Sequence, residues 1–169
     1  ERSNTMSNLL VQNIKHTNAT TAQTIDSSGR ITYPARPFIS LKGNGAAEVT
    51  TAGSDDVFTF FDVVENSGIT FNSSNGRITV PTTGLYLITA GFYVWANATG
   101  QNTIDLYINT TRSRVYSHET NSINSPRNDE TITISEVQRL SATDYIYFSA
   151  NADLYSDGLY IWCQVTFIG

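Results

Sequence analysis

The chain has 169 residues, 40% of them hydrophobic and only 15% charged, and a formal charge of −5 at pH 7. That length suits one core with an appended segment. Ten Lys and Arg scattered along an acidic chain form no cluster that would displace counterions from a nucleic acid or hold an anionic membrane surface. No apolar run approaches the ~18 to 20 residues needed to span a bilayer with a helix. The remainder is rich in Thr, Ser and Asn and poor in helix formers, which points to an all-β protein.

Residues 1–36 read as an extended N-terminal arm. Their first ten, ERSNTMSNLL, lack the basic start and continuous apolar stretch of a signal peptide. In NLLVQNIKHTNATTAQTIDSSGRITYPARP (8–37) the apolar groups at 9–11, Ile14, Ile25 and Ile31 are too sparse for a core. Such a segment must dock on something else. The prolines at 34 and 37 mark a hinge, and residues 37–169 form the head.

In the head, apolar runs of strand length alternate with clusters of Gly, Asn, Ser and Asp, the texture of a β-sandwich. Strands are expected at 38–41, 57–66, 68–72, 76–81, 85–97, 103–111, 113–119, 130–140, 144–152 and 158–169, with a long loop after 41 and a polar loop over 122–129. Alternation along VFTFFDVVEN puts Phe58 and Phe60 on one face and Val57, Thr59 and Phe61 on the other. The unbroken apolar character of LYLITAGFYVWAN predicts a central strand buried on both faces. The near-identical SSGRITYP (27–34) and SSNGRITVP (73–81) share turn chemistry and a short strand stopped by proline. Only the second continues into Pro-x-x-Gly-x-Tyr, so the pair is not a duplicated unit.

Chemistry-bearing residues are few. Cys163 lies in a strand and reads as a small buried thiol. A nucleophile would need a base, and His16 and His118 fall in the polar arm and in a loop. No nucleophile elbow is present, so no catalytic residue is assigned. Asp55 and Asp56, Asp129 and Glu130, and Asp153 and Asp157 offer oxygen ligands of the kind Ca²⁺ takes. Their spacing matches no loop motif and reads as solvated charge, so no cofactor is expected, with Asp153 and Asp157 the candidates should calcium bind. Polar loops bearing Tyr107, Tyr116, Tyr145, Tyr155 and Tyr160 can stack on sugar rings, with Tyr107, Tyr116 and Tyr155 the leading candidates; strand edges and subunit seams use the same residues. Glycosylation sequons stand at Asn18, Asn72, Asn97 and Asn109, as they do by chance in a chain this rich in Asn and Thr.

The run ITFNSSNGRITVPTTGLYLITAGFYVW (69–95) resembles the globular domain of complement C1q, in the C1q/TNF superfamily. The matching residues are Phe71, Asn72, Gly76, Ile78, Pro81, Gly84 and Tyr86. ARPFISL (35–41) is similar to that family's first strand, and VQRLSATDYIYFSA (137–150) to its late leucine–turn–aspartate pattern through Leu140 and Asp144. The resemblance implies a ten-stranded jelly-roll sandwich and a homotrimer, and it gives the seven matching residues folding roles. Turn-forming Asn75–Gly76, the strand-ending Pro81 and a turn at Gly84 sending Tyr86 inward give the same roles physically. The chain departs from the family at Thr143, where glycine is usual, and in its closing GLYIWCQVTFIG. A changed register of the last strand is the expected consequence.

The arm resembles the segment preceding C1q-like domains in virion proteins of tailed bacteriophages. That resemblance implies a non-enzymatic virion protein that contacts other virion proteins through its arm and a host-surface glycan or protein through its head. Two other readings stay open: a structural decoration or knob protein of the capsid or tail, and a secreted, extracellular C1q-like recognition protein. No nucleic acid and no membrane insertion are expected.

Overall fold

The computed structural model describes residues 12–15, 21–33, 36–45, 56–95, 100–120, 130–151, 153–155 and 157–169, with the backbone alone at 32, 56, 95, 100–102, 117–120, 130 and 153, so that the side chains of Asp56, His118, Glu130 and Asp153 lie outside the described part. The loop residues 46–55 and 122–129, His16, Asp55, Asp129, the sequons at Asn18 and Asn97 and the Pro34 end of the hinge lie outside them. The chain divides into two compact units, Glu1–Arg36 and Pro37–Gly169.

The first unit holds a three-stranded antiparallel sheet of β1 (Asn13–Lys15), β2 (Thr21–Ile25) and β3 (Ile31–Thr32). The arm is pleated rather than simply drawn out. The Asp26 carboxylate closes the β2–β3 turn by accepting the backbone N–H groups of Ser28 and Arg30 and pairing with Arg30 Nε at 2.7 Å. These bonds from Arg30 hold Asp26 below the ordinary aspartate range. None of the described residues of this unit is buried. Ile14, Ile31 and Tyr33 stand about half exposed and β2 is only partly covered, and a sheet this small without a core of its own among the described residues is marginal by itself.

The second unit is a sandwich of two six-stranded sheets. One orders β11 (Thr111–Thr120), β10 (Gly100–Ile108), β13 (Tyr145–Ala150), β8 (Arg77–Thr79) and β7 (Thr70–Asn72), with β5 (Asp56–Val57) paired to β13. The other orders β12 (Glu130–Leu140), β9 (Gly84–Trp95), β15 (Trp162–Phe167), β4 (Phe38–Gly43) and β6 (Phe61–Ser67), with β14 (Asp153–Leu154) paired to β9. All pairings are antiparallel. Apart from the two-residue β5 and β14, each strand matches one of the ten expected. The inner faces meet through Ile39, Leu41, Ile78, Tyr86, Ile88, Phe92, Ile104, Leu106, Ile146, Phe148 and Val165, all at most 1% exposed.

Two expectations need correction. Residues 57–66 are not one strand: Phe58–Phe60 carry the chain from one sheet to the other, with Phe58 N–H donating to the Phe148 carbonyl at 2.9 Å. The crossing breaks the alternation, so Phe58 and Phe61 both enter the core, at 2% and 4% exposure, their ring centroids 6.3 Å apart. The second concerns β9, which alternates between fully buried Tyr86, Ile88 and Ala90 and half-buried Leu85, Leu87 and Thr89. Within one chain only one of its faces belongs to the core.

The repeated motif is now two hairpin turns. SSGRIT joins β2 to β3. SSNGRIT joins β7 to β8, where Asn72 Oδ1 accepts Ser74 N–H and Asn75 Oδ1 accepts Arg77 N–H. Gly84 is not a turn residue: it opens β9, and a Cβ there would lie 2.3 Å from the Phe167 ring. Tyr86 does point inward, its hydroxyl donating to the Thr82 carbonyl at 2.7 Å.

The late turn is tied down by Asp144, which accepts Ser141 N–H on Oδ2 and the Asn109 amide on Oδ1. Thr143 beside it sits at φ 76, where a β-branched residue is strained by roughly 1–2 kcal/mol. Thr143→Gly should therefore stabilise the head by about 0.5–1 kcal/mol after the glycine's own entropy cost. A rise of a few degrees in melting temperature would confirm this, and an unchanged or lower one would contradict it.

Candidate binding surfaces

The tyrosines singled out for binding do not converge. Tyr107, Tyr116 and Tyr145 lie in strands rather than loops, because hairpin pairing carries β10, β11 and β13 through them. They fall into three separate groups with Tyr155 and Tyr160.

Tyr116 lies where β11 approaches β12. Its hydroxyl donates to Glu136 Oε1 at 2.9 Å, and Arg114 Nε reaches the same oxygen at 3.3 Å. Burial, aided by the Glu136 carboxylate, pushes this phenol well above the ordinary tyrosine range. It closes the edge of the sandwich.

Tyr155 and Tyr160 pack with Tyr93 at 5.4 and 4.9 Å between centroids. They sit beside the outer face of the β12-β9-β15-β4-β6 sheet. By strand alternation that face carries Leu85, Leu87, Thr89 and Tyr93 from β9, Thr131, Thr133 and Val137 from β12, Trp162 and Gln164 from β15, and Phe38 and Ser40 from β4. Val137 is 52% and Trp162 39% exposed. The charged side chains that alternation and register add to this broad, nearly neutral face are Lys42 and Arg139 and, from β6, Asp62 and Glu65, the cross-strand partners of Lys42 and Ser40.

The third group lies on the outer face of the other sheet. Tyr107 and Tyr147 are direct cross-strand partners whose rings stack at 4.7 Å and 9°. Tyr145, two residues along β13, continues the row at 6.3 Å from Tyr147. The Arg77 guanidinium lies over the Tyr145 ring, 4.1 Å from its centroid, a cation–π contact that fixes a flexible side chain. Beside this row opens a pocket of about 330 Å³ lined by Val57, Thr59, Ser74, Asn75, Arg77 and Tyr147. Sequence reasoning singled out neither Tyr147 nor Arg77. The signal was the i, i+2 spacing of Tyr145 and Tyr147 on a strand.

Elsewhere the candidates carry less. Asp157 Oδ1 accepts the Leu159 N–H at 2.9 Å, so this carboxylate caps a turn; it also lines an open surface depression with Lys42 and Asp62. The Asp153 side chain is outside the described part. Among the described residues no group of three or more His, Cys, Asp or Glu is placed to hold a metal ion. His118 belongs to β11, opposite Asn102, and not to a loop, because the β10–β11 hairpin continues to Thr120. Cys163 is fully buried, and burial pushes its thiol well above the ordinary range, the reverse of what a nucleophile requires. Asn72 and Asn109 use their side chains inside turns: Asn109 donates to Asp144 and accepts Tyr145 N–H.

No family model and no curated protein matches this sequence. Solved structures do match in shape. Eiger TNF from S. frugiperda superimposes with a TM-score of 0.68 at 10% identity, covering 80% of this chain and 94% of that one. Two structures of murine APRIL, at pH 8.5 and pH 8.0, give TM-scores of 0.58 and 0.57 at 12% and 14% identity, each covering 79% of this chain and 99% of the other. At such identities the likeness is one of fold, and it agrees with the strand order described above: the head of this protein is a TNF/C1q-like jelly-roll β-sandwich.

Proposed function

We propose that the protein is a non-enzymatic homotrimeric virion protein whose jelly-roll head mediates adhesion to a host surface while its N-terminal unit attaches it to the particle. The observation that carries the trimer is the outer face of the β12-β9-β15-β4-β6 sheet, where Leu85, Leu87, Tyr93, Val137 and Trp162 remain only partly covered in a single chain. A patch of this kind marks an interaction surface, and an obligate interface between copies would bury on the order of 2,000 Å² or more. The first unit, with no buried residue among those described, likewise needs a partner to cover Ile14, Ile31 and Tyr33. Placement in a virion rests on the resemblance of the arm to the phage segments named above. The buried Cys163 and the dispersed acidic groups favour binding over catalysis.

Light scattering should return three times the chain mass at micromolar concentration; a monomer mass would remove the trimer. Antibody against the head should label fibre or spike tips on intact particles. Label spread evenly over the capsid would instead identify a decorating role.

A further inference from the structure

We propose that the pocket between Arg77 and Tyr147 binds a carboxylated sugar ring. This inference rests on the adhesion reading and names its ligand class. Three independent features meet there.

The first is the cation. Arg77 is exposed and stacked on Tyr145, and among the described residues its guanidinium forms no ion pair. An arginine held flat against a ring keeps the N–H groups of its rim available, in the planar fork that fits a carboxylate. In a chain of net charge −5, a positioned cation with no counter-ion among the described residues selects for an anionic partner.

The second is the aromatic surface. β10 and β8 flank β13 on opposite sides, so Tyr107 covers Tyr147 from the β10 side while the pocket opens on the β8 side. A pyranose lying against that side of Tyr147 gains the contact that apolar C–H faces make with aromatic rings.

The third is the pocket's frame. One wall is the β7–β8 turn, locked by the Asn72 and Asn75 side chains. The opposite wall is the sheet crossing, and Gly76 lets the two approach so closely that a Cβ would lie 2.2 Å from the Phe58 carbonyl oxygen. Ser74, Asn75 and Thr59 bring polar side chains suited to ring hydroxyls. The volume of about 330 Å³ lies at the lower end of the roughly 300–1,000 Å³ of small-ligand sites.

The test uses the full chain, in whatever oligomeric state it adopts, against pairs of oligosaccharides differing only in a terminal uronic acid or the matching neutral hexose. Binding is followed on an array and by calorimetry, and unchanged melting temperatures confirm folding of each variant. The acidic member should bind about tenfold or more tightly than the neutral one, and added salt should erode the difference. Arg77→Gln should abolish that preference, Arg77→Lys should restore it in part, and Tyr147→Ala should weaken both members together. Equal binding of the two members, or Arg77→Gln without effect, overturns the site even though the protein still adheres to glycans or cells. A trimeric wild-type sample that binds neither glycans nor cells overturns the adhesion reading, and this inference with it.

Discussion

Gly76→Ala should lower the stability of the head by about 3 kcal/mol or more, because two penalties coincide at one atom. The residue sits at φ +67, where any L side chain costs roughly 1–2 kcal/mol. Its new Cβ would also meet the Phe58 carbonyl oxygen at 2.2 Å and Val57 Cγ1 at 2.7 Å, and forced overpacking costs a further ~1–3 kcal/mol. Neither neighbour yields easily: Phe58 N–H is bonded to Phe148, and the Phe58 ring is wedged 4.8 Å from Phe92. Gly45→Ala is the matched control, since Gly45 has φ +73 but nothing among the described residues within 4 Å of the added atom. It should show the conformational penalty alone. At about 2–4 °C per kcal/mol for a chain of this size, thermal melts should separate the two variants by several degrees. Equal losses would mean that the contact between turn and crossing contributes nothing. The same substitution should impair the neighbouring pocket, whose two walls it forces apart.

The sequence made the sandwich legible because turn-forming clusters punctuate the strands, and because Phe71, Asn72, Gly76, Pro81 and Tyr86 form a pattern with local physical reasons. It misled where a segment changes sheets. Alternation assumes one continuous strand, and nothing in VFTFFDVVEN announces that Phe58–Phe60 leave β5's sheet for β6's. It misleads again at β9, where a strand apolar on both sides reads as buried on both. Leu85, Leu87 and Tyr93 are only half covered within the single chain, and a composition fit for burial does not say which molecule supplies the cover. Binding groups were legible as residue types but not as constellations. Tyr107 meets Tyr147, and Arg77 meets Tyr145, through the order and register of β10, β13 and β8. Register is a long-range property that a single sequence leaves open.

Arg112→Ala should cost about 3 kcal/mol, near the lower bound for breaking a buried ion pair. Asp105 is a neighbour of the tyrosine row on the face of β10 turned away from the core, yet its side chain is only 3% exposed, and Arg112 Nη1 holds Oδ2 at 3.0 Å. Its Oδ1 and the Oγ of its cross-strand partner Ser149 are both buried and have no hydrogen-bond partner among the described residues. Taking away the guanidinium leaves a carboxylate that is neither solvated nor paired. Because Arg112 is itself 53% exposed, water entering the vacated space limits the loss. Asp105→Asn in the Arg112→Ala background should recover part of it, since a neutral amide needs less compensation and can donate to Ser149 Oγ. A double-mutant cycle from urea unfolding should thus give a coupling of about 1–2 kcal/mol between the two positions. Zero coupling would mean that the charge is balanced by other groups. The pair also bears on the binding surface. A one-residue slip of β10 against β13 would turn Asp105 and Tyr107 toward the core in place of Ile104 and Leu106. A buried carboxylate is costly enough there to exclude that slip, and so the ion pair helps keep Tyr107 opposite Tyr147.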